Sequence, residues 1–240
     1  MKRIAMWSGP RNISTAMMRA FENRPDTVVV DEPFYAHYLV TTGLAHPGAD
    51  EVIAQQENDW RVVAHSLQRG TVAGAQVFYQ KHMAHHWCGD MDTSWIDGIS
   101  HAFLLREPRA MLLSLDRVLE RVGVSDTGLG QQKILFDELR RRGHTPLVID
   151  ARDVLTEPRL ALQRLCADLG IEFDERMLAW PAGRRDSDGV WARHWYAAVE
   201  KSTGFAPYLA STEPLPAHLE PVLAQCQPLY DQLYAFRTHT

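Results

Sequence analysis

Several signals that assign a chain to a class at a glance are missing from these 240 residues. Cysteine is scarce: Cys88, Cys166 and Cys226 are widely spaced, odd in number and without a CxxC pair. They exclude a disulfide framework and fit thiols in a reducing compartment. No apolar run approaches the roughly 20 residues that span a bilayer. There is no excess of positive charge either. The formal net charge of −5 argues against a surface coated with Lys and Arg for nucleic acid. No Gly-Lys dipeptide occurs, so the ATP-type loop GxxxxGK[ST] is absent. No signal peptide pattern, repeat, low-complexity tract or interdomain linker stands out. The expectation is one cytoplasmic domain over residues 1–240 that binds neither nucleic acid nor membrane, with a homodimer left open.

What is present is globular in balance, with 45% hydrophobic and 23% charged residues. Short apolar runs at 1–7, 27–31, 72–79, 102–106 and 146–150 suit strands buried on both faces of a parallel sheet. Helical periodicity lies between them. Pro108 opens one helix whose apolar residues continue through Val122. Others cover 128–142, 157–169 (closed by Gly170) and the stretch from Leu215 to Leu233. The alternation predicts an α/β architecture, a central parallel sheet flanked by helices. Ligands of such sheets lie beyond the C-terminal strand ends. Arg11, Glu32, Lys81, His82 and Arg106 fall there.

The first strand runs into Ser8-Gly-Pro-Arg-Asn-Ile-Ser-Thr15 and then into a helix-forming stretch. Backbone N–H groups at a helix start have no intrahelical partner, and the helix dipole and Arg11 both favour an anion. With no Walker Lys, Ser14 and Thr15 read as donors to an anion rather than as magnesium ligands. By itself the segment also fits an ordinary turn capped by Asn12 or Ser14. Two further segments bear on the choice. Arg106 ends a strand and Ser114 follows eight residues later; Arg184-Arg-Asp-Ser-Asp-Gly-Val-Trp-Ala-Arg-His-Trp195 is a basic loop leading into an aromatic helix.

In these three segments the chain resembles the sulfotransferases that use 3′-phosphoadenosine 5′-phosphosulfate (PAPS). Pro10–Thr15 is similar to their Pro-Lys/Arg-Ser-Gly-Thr/Ser-Thr loop. The resemblance implies a three-layer P-loop NTPase-like fold and a PAPS co-substrate with no metal. It implies a 5′-phosphosulfate loop of Arg11, Asn12, Ile13, Ser14 and Thr15, and a 3′-phosphate site of Arg106, Ser114, Arg184 and Arg185. The acceptor is then a hydroxyl or amine of a small molecule. Ile13 stands where the family has Gly, so φ must stay negative there. Asp186 and Val190 replace a Gly and an Asp of the third segment.

Transfer to a hydroxyl needs a base. Glu32, at the end of the second strand, is placed first because some relatives use a Glu there; its bland reading is a loop carboxylate paired with Arg11. His82 is the second candidate, one position out of the family's Lys-x-His register. Lys81 either reaches the sulfuryl oxygens or is a solvated surface residue. His82 and His86, four apart, would share a helix face, yet without a Glu as in HExxH a metal is the lesser reading. Trp87, Trp95, Trp191, Trp195 and Tyr196 fit either an acceptor pocket or the core. Two rivals remain, a nucleotide-dependent phosphotransferase and a non-catalytic anion-binding protein of the same fold.

Overall fold

A computed structural model describes residues 1–238. Five parallel strands form one sheet: β1 (Lys2–Ser8), β2 (Thr27–Asp31), β3 (Val77–Met83), β4 (Ser100–Leu105) and β5 (Leu147–Asp150), in the order β2-β3-β1-β4-β5. The helices are α1 (Ser14–Glu22), α2 (Tyr35–Thr42), α3 (Ala49–Gln55), α4 (Trp60–Arg69), α5 (Pro108–Leu115), α6 (Leu129–Arg141), α7 (Ala151–Thr156), α8 (Pro158–Leu169), α9 (Ala192–Trp195), α10 (Ala197–Glu200) and α11 (Glu220–Tyr234).

The apolar runs are continuous because helices cover both faces of the sheet. Successive side chains of a strand point to opposite faces. In β1, Ile4 and Met6 join one core with α1 and α8 through Met17, Phe21 and Leu165. Ala5 and Trp7 join the other with α4, α6 and α11 through Leu67, Phe136 and Leu233. A third cluster unites α2 and α3 with Trp191 and Tyr196 beside the C-terminal ends of β2 and β3. Strand order reverses at β1, whose neighbours are β3 and β4. A crevice opens at such a reversal.

Three predicted elements differ in extent. The third strand starts at Val77, not at residue 72, because a turn closes Ala75 N–H on the Val72 carbonyl and Gly74 is left-handed at φ +74°. Pairing begins only where Val77 meets Lys2 and Thr27. Helix α5 stops at Leu115, short of Val122, and its next residues are drawn to the 213–218 segment by a His218–Asp116 hydrogen bond and an Arg117–Glu213 ion pair. The C-terminal helix begins at Glu220, after a 3₁₀ turn that follows Pro216. Helices α2, α3 and α4 were not foreseen, although Trp60, Val63, Ala64 and Leu67 of α4 are buried at helical spacing. No helix among the described residues is long and apolar enough to cross a membrane.

Candidate active site

The loop after β1 takes its shape from three contacts. A Cβ on Gly9 would lie 2.2 Å from the Thr127 carbonyl oxygen, so only glycine admits that close backbone approach. The Asn12 amide donates to the Leu104 carbonyl at 2.7 Å, tying the loop to the end of β4, and its oxygen accepts from Ile13 N–H at 2.8 Å. Ile13 keeps φ at −81°. The left-handed residue is Arg11, at φ +54°. Such a conformation in a side-chain-bearing residue costs about 1–3 kcal/mol and persists where surrounding contacts impose it.

No side chain caps α1, so Ser14 and Thr15 present the open N–H groups of its first turn at the loop. Arg11 Nε donates to Ser114 Oγ at 3.0 Å, and Arg106 donates to the Arg11 carbonyl. Arg11, Arg106 and Ser114 therefore share one corner. Neither guanidinium forms an ion pair with a carboxylate among the described residues. Partial burial, and then the charge of Arg11, push the Arg106 pKa downward. A guanidinium stays charged regardless. Two cations and an uncapped helix start converge with neither guanidinium in an ion pair among the described residues, which fits a multiply charged anion.

Across β1, the second site is enclosed. The β2–β3 register sets Asp31 opposite Lys81. Lys81 Nζ donates to Asp31 Oδ1 at 2.8 Å, to Glu32 Oε1 at 2.5 Å and to the Tyr196 hydroxyl at 2.8 Å. Tyr196 donates in turn to Asp31 Oδ2 at 2.7 Å. Burial opposes charge on Lys81, but Asp31 and Glu32 outweigh it and its pKa rises well above normal. Burial raises the Glu32 pKa, with Asp31 adding to the effect and Lys81 opposing it. Glu32 is the second residue with side chain held at positive φ, +42°. Its partner is Lys81 and not Arg11.

Other predicted residues lie elsewhere. His82 follows Lys81 in β3 and so points to the opposite face. There it stacks on Trp7 with ring centroids 4.3 Å apart, contacts Phe34 and Trp95, and is 1% exposed. Burial drives its pKa well below the usual range. It is a neutral core imidazole, turned away from Glu32, and not a base candidate. Lys81 is neither solvated nor free for sulfuryl oxygens, since its three N–H bonds are taken. His82 and His86 do not share a helix face: one is in β3 and the other in a 3₁₀ turn at 84–86. No group of three or more His, Cys, Asp or Glu among the described residues could hold a metal ion.

Arg184 and Arg185 do not join Arg106. Arg185 binds the Pro181 carbonyl and faces Glu22 at 3.8 Å, at the end of α1 remote from the loop; Arg184 is exposed. Nine residues of helix separate the two ends by about 12 Å. Beside them Arg19 and Asp188 form a buried pair at 2.6 Å that pins the 184–191 segment to α1. This pair, and the roles of Asp31 and Tyr196, went unforeseen. The only cue in sequence was the paired acid Asp31-Glu32 ending an apolar strand.

The Sulfotransferase domain family profile matches residues 1–237, and the chain belongs to that family. Two relatives from Arabidopsis thaliana, branched-chain-amino-acid aminotransferase-like proteins 2 and 1, are 33% and 34% identical over 100% and 99% of the chain. The chain spans only 42% of the length of each. Among solved structures, the sulfotransferase domain of the Synechococcus PCC 7002 olefin synthase superposes with a TM-score of 0.60 at 16% identity, covering 100% of this chain and 96% of that one. The sulfotransferase domain from the curacin biosynthetic pathway gives 0.55 at 14% identity, covering 94% and 97%. At these identities the likeness concerns the fold alone.

Proposed function

We propose that the chain transfers a sulfuryl group from PAPS to a hydroxyl or amine of a small molecule. One observation carries this reading: Arg11, bonded to Ser114, and Arg106, bonded to the Arg11 carbonyl, have no carboxylate ion pair among the described residues and stand beside the uncapped start of α1. Arg11 and the N–H groups of Ser14 and Thr15 would bind the 5′-phosphosulfate and take up charge on the leaving phosphate. Arg106 and Ser114 would hold the 3′-phosphate through charge-assisted hydrogen bonds. Glu32 would accept the acceptor's proton while the acceptor atom bonds to sulfur and the bridging S–O bond breaks toward the nucleotide. Burial raises its proton affinity, the direction a proton acceptor needs.

The test is ligand-induced thermal stabilisation. A ligand bound only by the folded state raises Tm by mass action. 3′-Phosphoadenosine 5′-phosphate should raise Tm well above AMP or ATP at equal concentration, without magnesium. Equal shifts with AMP, or a shift that requires magnesium and ATP, would sink the reading.

A further inference from the structure

The Lys81 ammonium group has three N–H bonds, and the fold supplies three acceptors. Two of them, Asp31 and Tyr196, are also bonded to each other. Trp191 Nε1 braces the Tyr196 hydroxyl at 3.3 Å. Asp31 thus has one oxygen on Lys81 and the other on Tyr196, and is buried at 4% exposure. Glu32 differs. Its Oε1 takes Lys81 and, at 3.4 Å, the Tyr196 hydroxyl, whereas its Oε2 accepts no hydrogen bond among the described residues; His86 Nε2 lies 3.9 Å away. Burial keeps His86 neutral. The groups facing Glu32 are therefore Asp31 from β2, Lys81 from β3, Tyr196 between α9 and α10, His86 from the turn after β3, and Tyr35 from α2.

We propose that Asp31 is a positioning residue for sulfuryl transfer: with Tyr196 as its anchor it holds Lys81 against Glu32 Oε1 alone, leaving Oε2 as the one open proton acceptor. The proposal rests on the reading of Glu32 as base. A lysine facing a single buried carboxylate would place its whole charge there and be free to swing toward Oε2. Asp31 prevents both. It divides the ammonium charge between two carboxylates and fixes Nζ at three points. A like charge beside a carboxylate also raises its proton affinity. Asp31 touches neither the nucleotide corner nor Oε2, so its influence passes through Lys81. The proton arriving from the acceptor ends on Oε2, and the electron pair of the broken S–O bond leaves with the nucleotide.

The carboxyl carbon of Glu32 reports this directly. Protein labelled with ¹³Cδ-glutamate is titrated by NMR, and the Glu32 signal is assigned by its loss in Glu32→Gln. In Asp31→Asn the proton affinity of Glu32 should fall about tenfold or more, because Lys81 then acts on Glu32 undivided. Asp31→Ser, which keeps a short hydroxyl acceptor, guards against misfolding of the first variant and should shift the midpoint the same way. An unmoved or rising midpoint in either folded variant overturns the proposal. A merely structural Asp31 would lower Tm and leave the Glu32 midpoint in place. The reading of Glu32 as base is judged separately, by release of 3′-phosphoadenosine 5′-phosphate from PAPS in Glu32→Gln. Turnover that survives there refutes the base, while the titration still decides what Asp31 does to Glu32.

Discussion

Arg11 and Arg106 stand on one side of β1 with no carboxylate between them; Lys81, on the other side, is buried between two. The first pair is partly exposed, held by a backbone carbonyl and a serine hydroxyl. The lysine is 1% exposed and has every donor satisfied within the protein. Both corners are cationic, yet their chemistry differs. Cations whose hydrogen bonds go to neutral groups keep their attraction for an incoming anion. A cation enclosed by carboxylates has none left for a ligand, and acts instead on the groups that enclose it. The proximity of a lysine to a strand end is thus no guide to its role; its partners are.

Four experiments test this difference between open and enclosed charges. The largest effect is expected from Glu32→Gln. Loss of a general base should lower turnover of PAPS by about 10²–10⁴-fold. Affinity for 3′-phosphoadenosine 5′-phosphate, read by calorimetry, should survive. Loss of that affinity would merge the two corners into one.

Lys81→Met comes next. It leaves Asp31 and Glu32 buried without their cation, and removal of one partner from a buried pair costs about 3–5 kcal/mol. Urea denaturation should record that loss, whereas Arg11→Met, at an exposed position, should stay within about 0.5 kcal/mol of the parent. Similar losses in both variants would erase the distinction between enclosed and open cations.

A smaller effect is expected for Arg106→Ala, about 1.5–3 kcal/mol in binding for a charged hydrogen bond. It should weaken the 3′,5′-bisphosphate and spare AMP. If both nucleotides weaken alike, Arg106 serves the 5′ end and the assignment of the corner must be redrawn.

The smallest effect concerns imidazoles enclosed in the core. His82, His86 and His101 are buried, and burial lowers the pKa of each, for His101 to about 4. His101 is held neutral by geometry too, accepting from Trp7 Nε1 and donating to the Ile96 carbonyl. The unfolded chain binds protons on these histidines near pH 6.5 while the folded chain does not. Stability should therefore be lost as pH falls from about 6.5 toward 4, by up to about 1.4 kcal/mol per pH unit per histidine. His82→Phe should flatten the dependence of Tm on pH in that window. An unchanged slope would mean that His82 is charged in the folded protein.

Most of the architecture was legible along the chain, for a definite reason. Strands buried on both faces must be continuously apolar, so 27–31, 102–106 and 146–150 announce β2, β4 and β5 within a residue or two. The strand–loop–helix turn around residues 8–15 was legible as well, since strand, Gly9, Arg11 and a helix start are contiguous. Elements bounded by long-range contacts were not. The end of α5 depends on Asp116 and Arg117 meeting residues about a hundred positions away. The split between Lys81 and His82 shows the limit most sharply. As neighbours in sequence both fit a strand-end site, but the pleat sends one to the carboxylates and the other into aromatic packing against Trp7.

The amino-acid order alone determined the class of fold and the strand–loop–helix turn at its first strand, because both arise from periodicity and from groups close together along the backbone. Tertiary structure decided which charges are answered from within. Tyr196 reaches Asp31 across 165 residues, Arg11 is left open to solvent, and Arg185 is drawn to Glu22. Charge pairing acts through space at a few ångströms, and only the folded chain brings such partners within that reach.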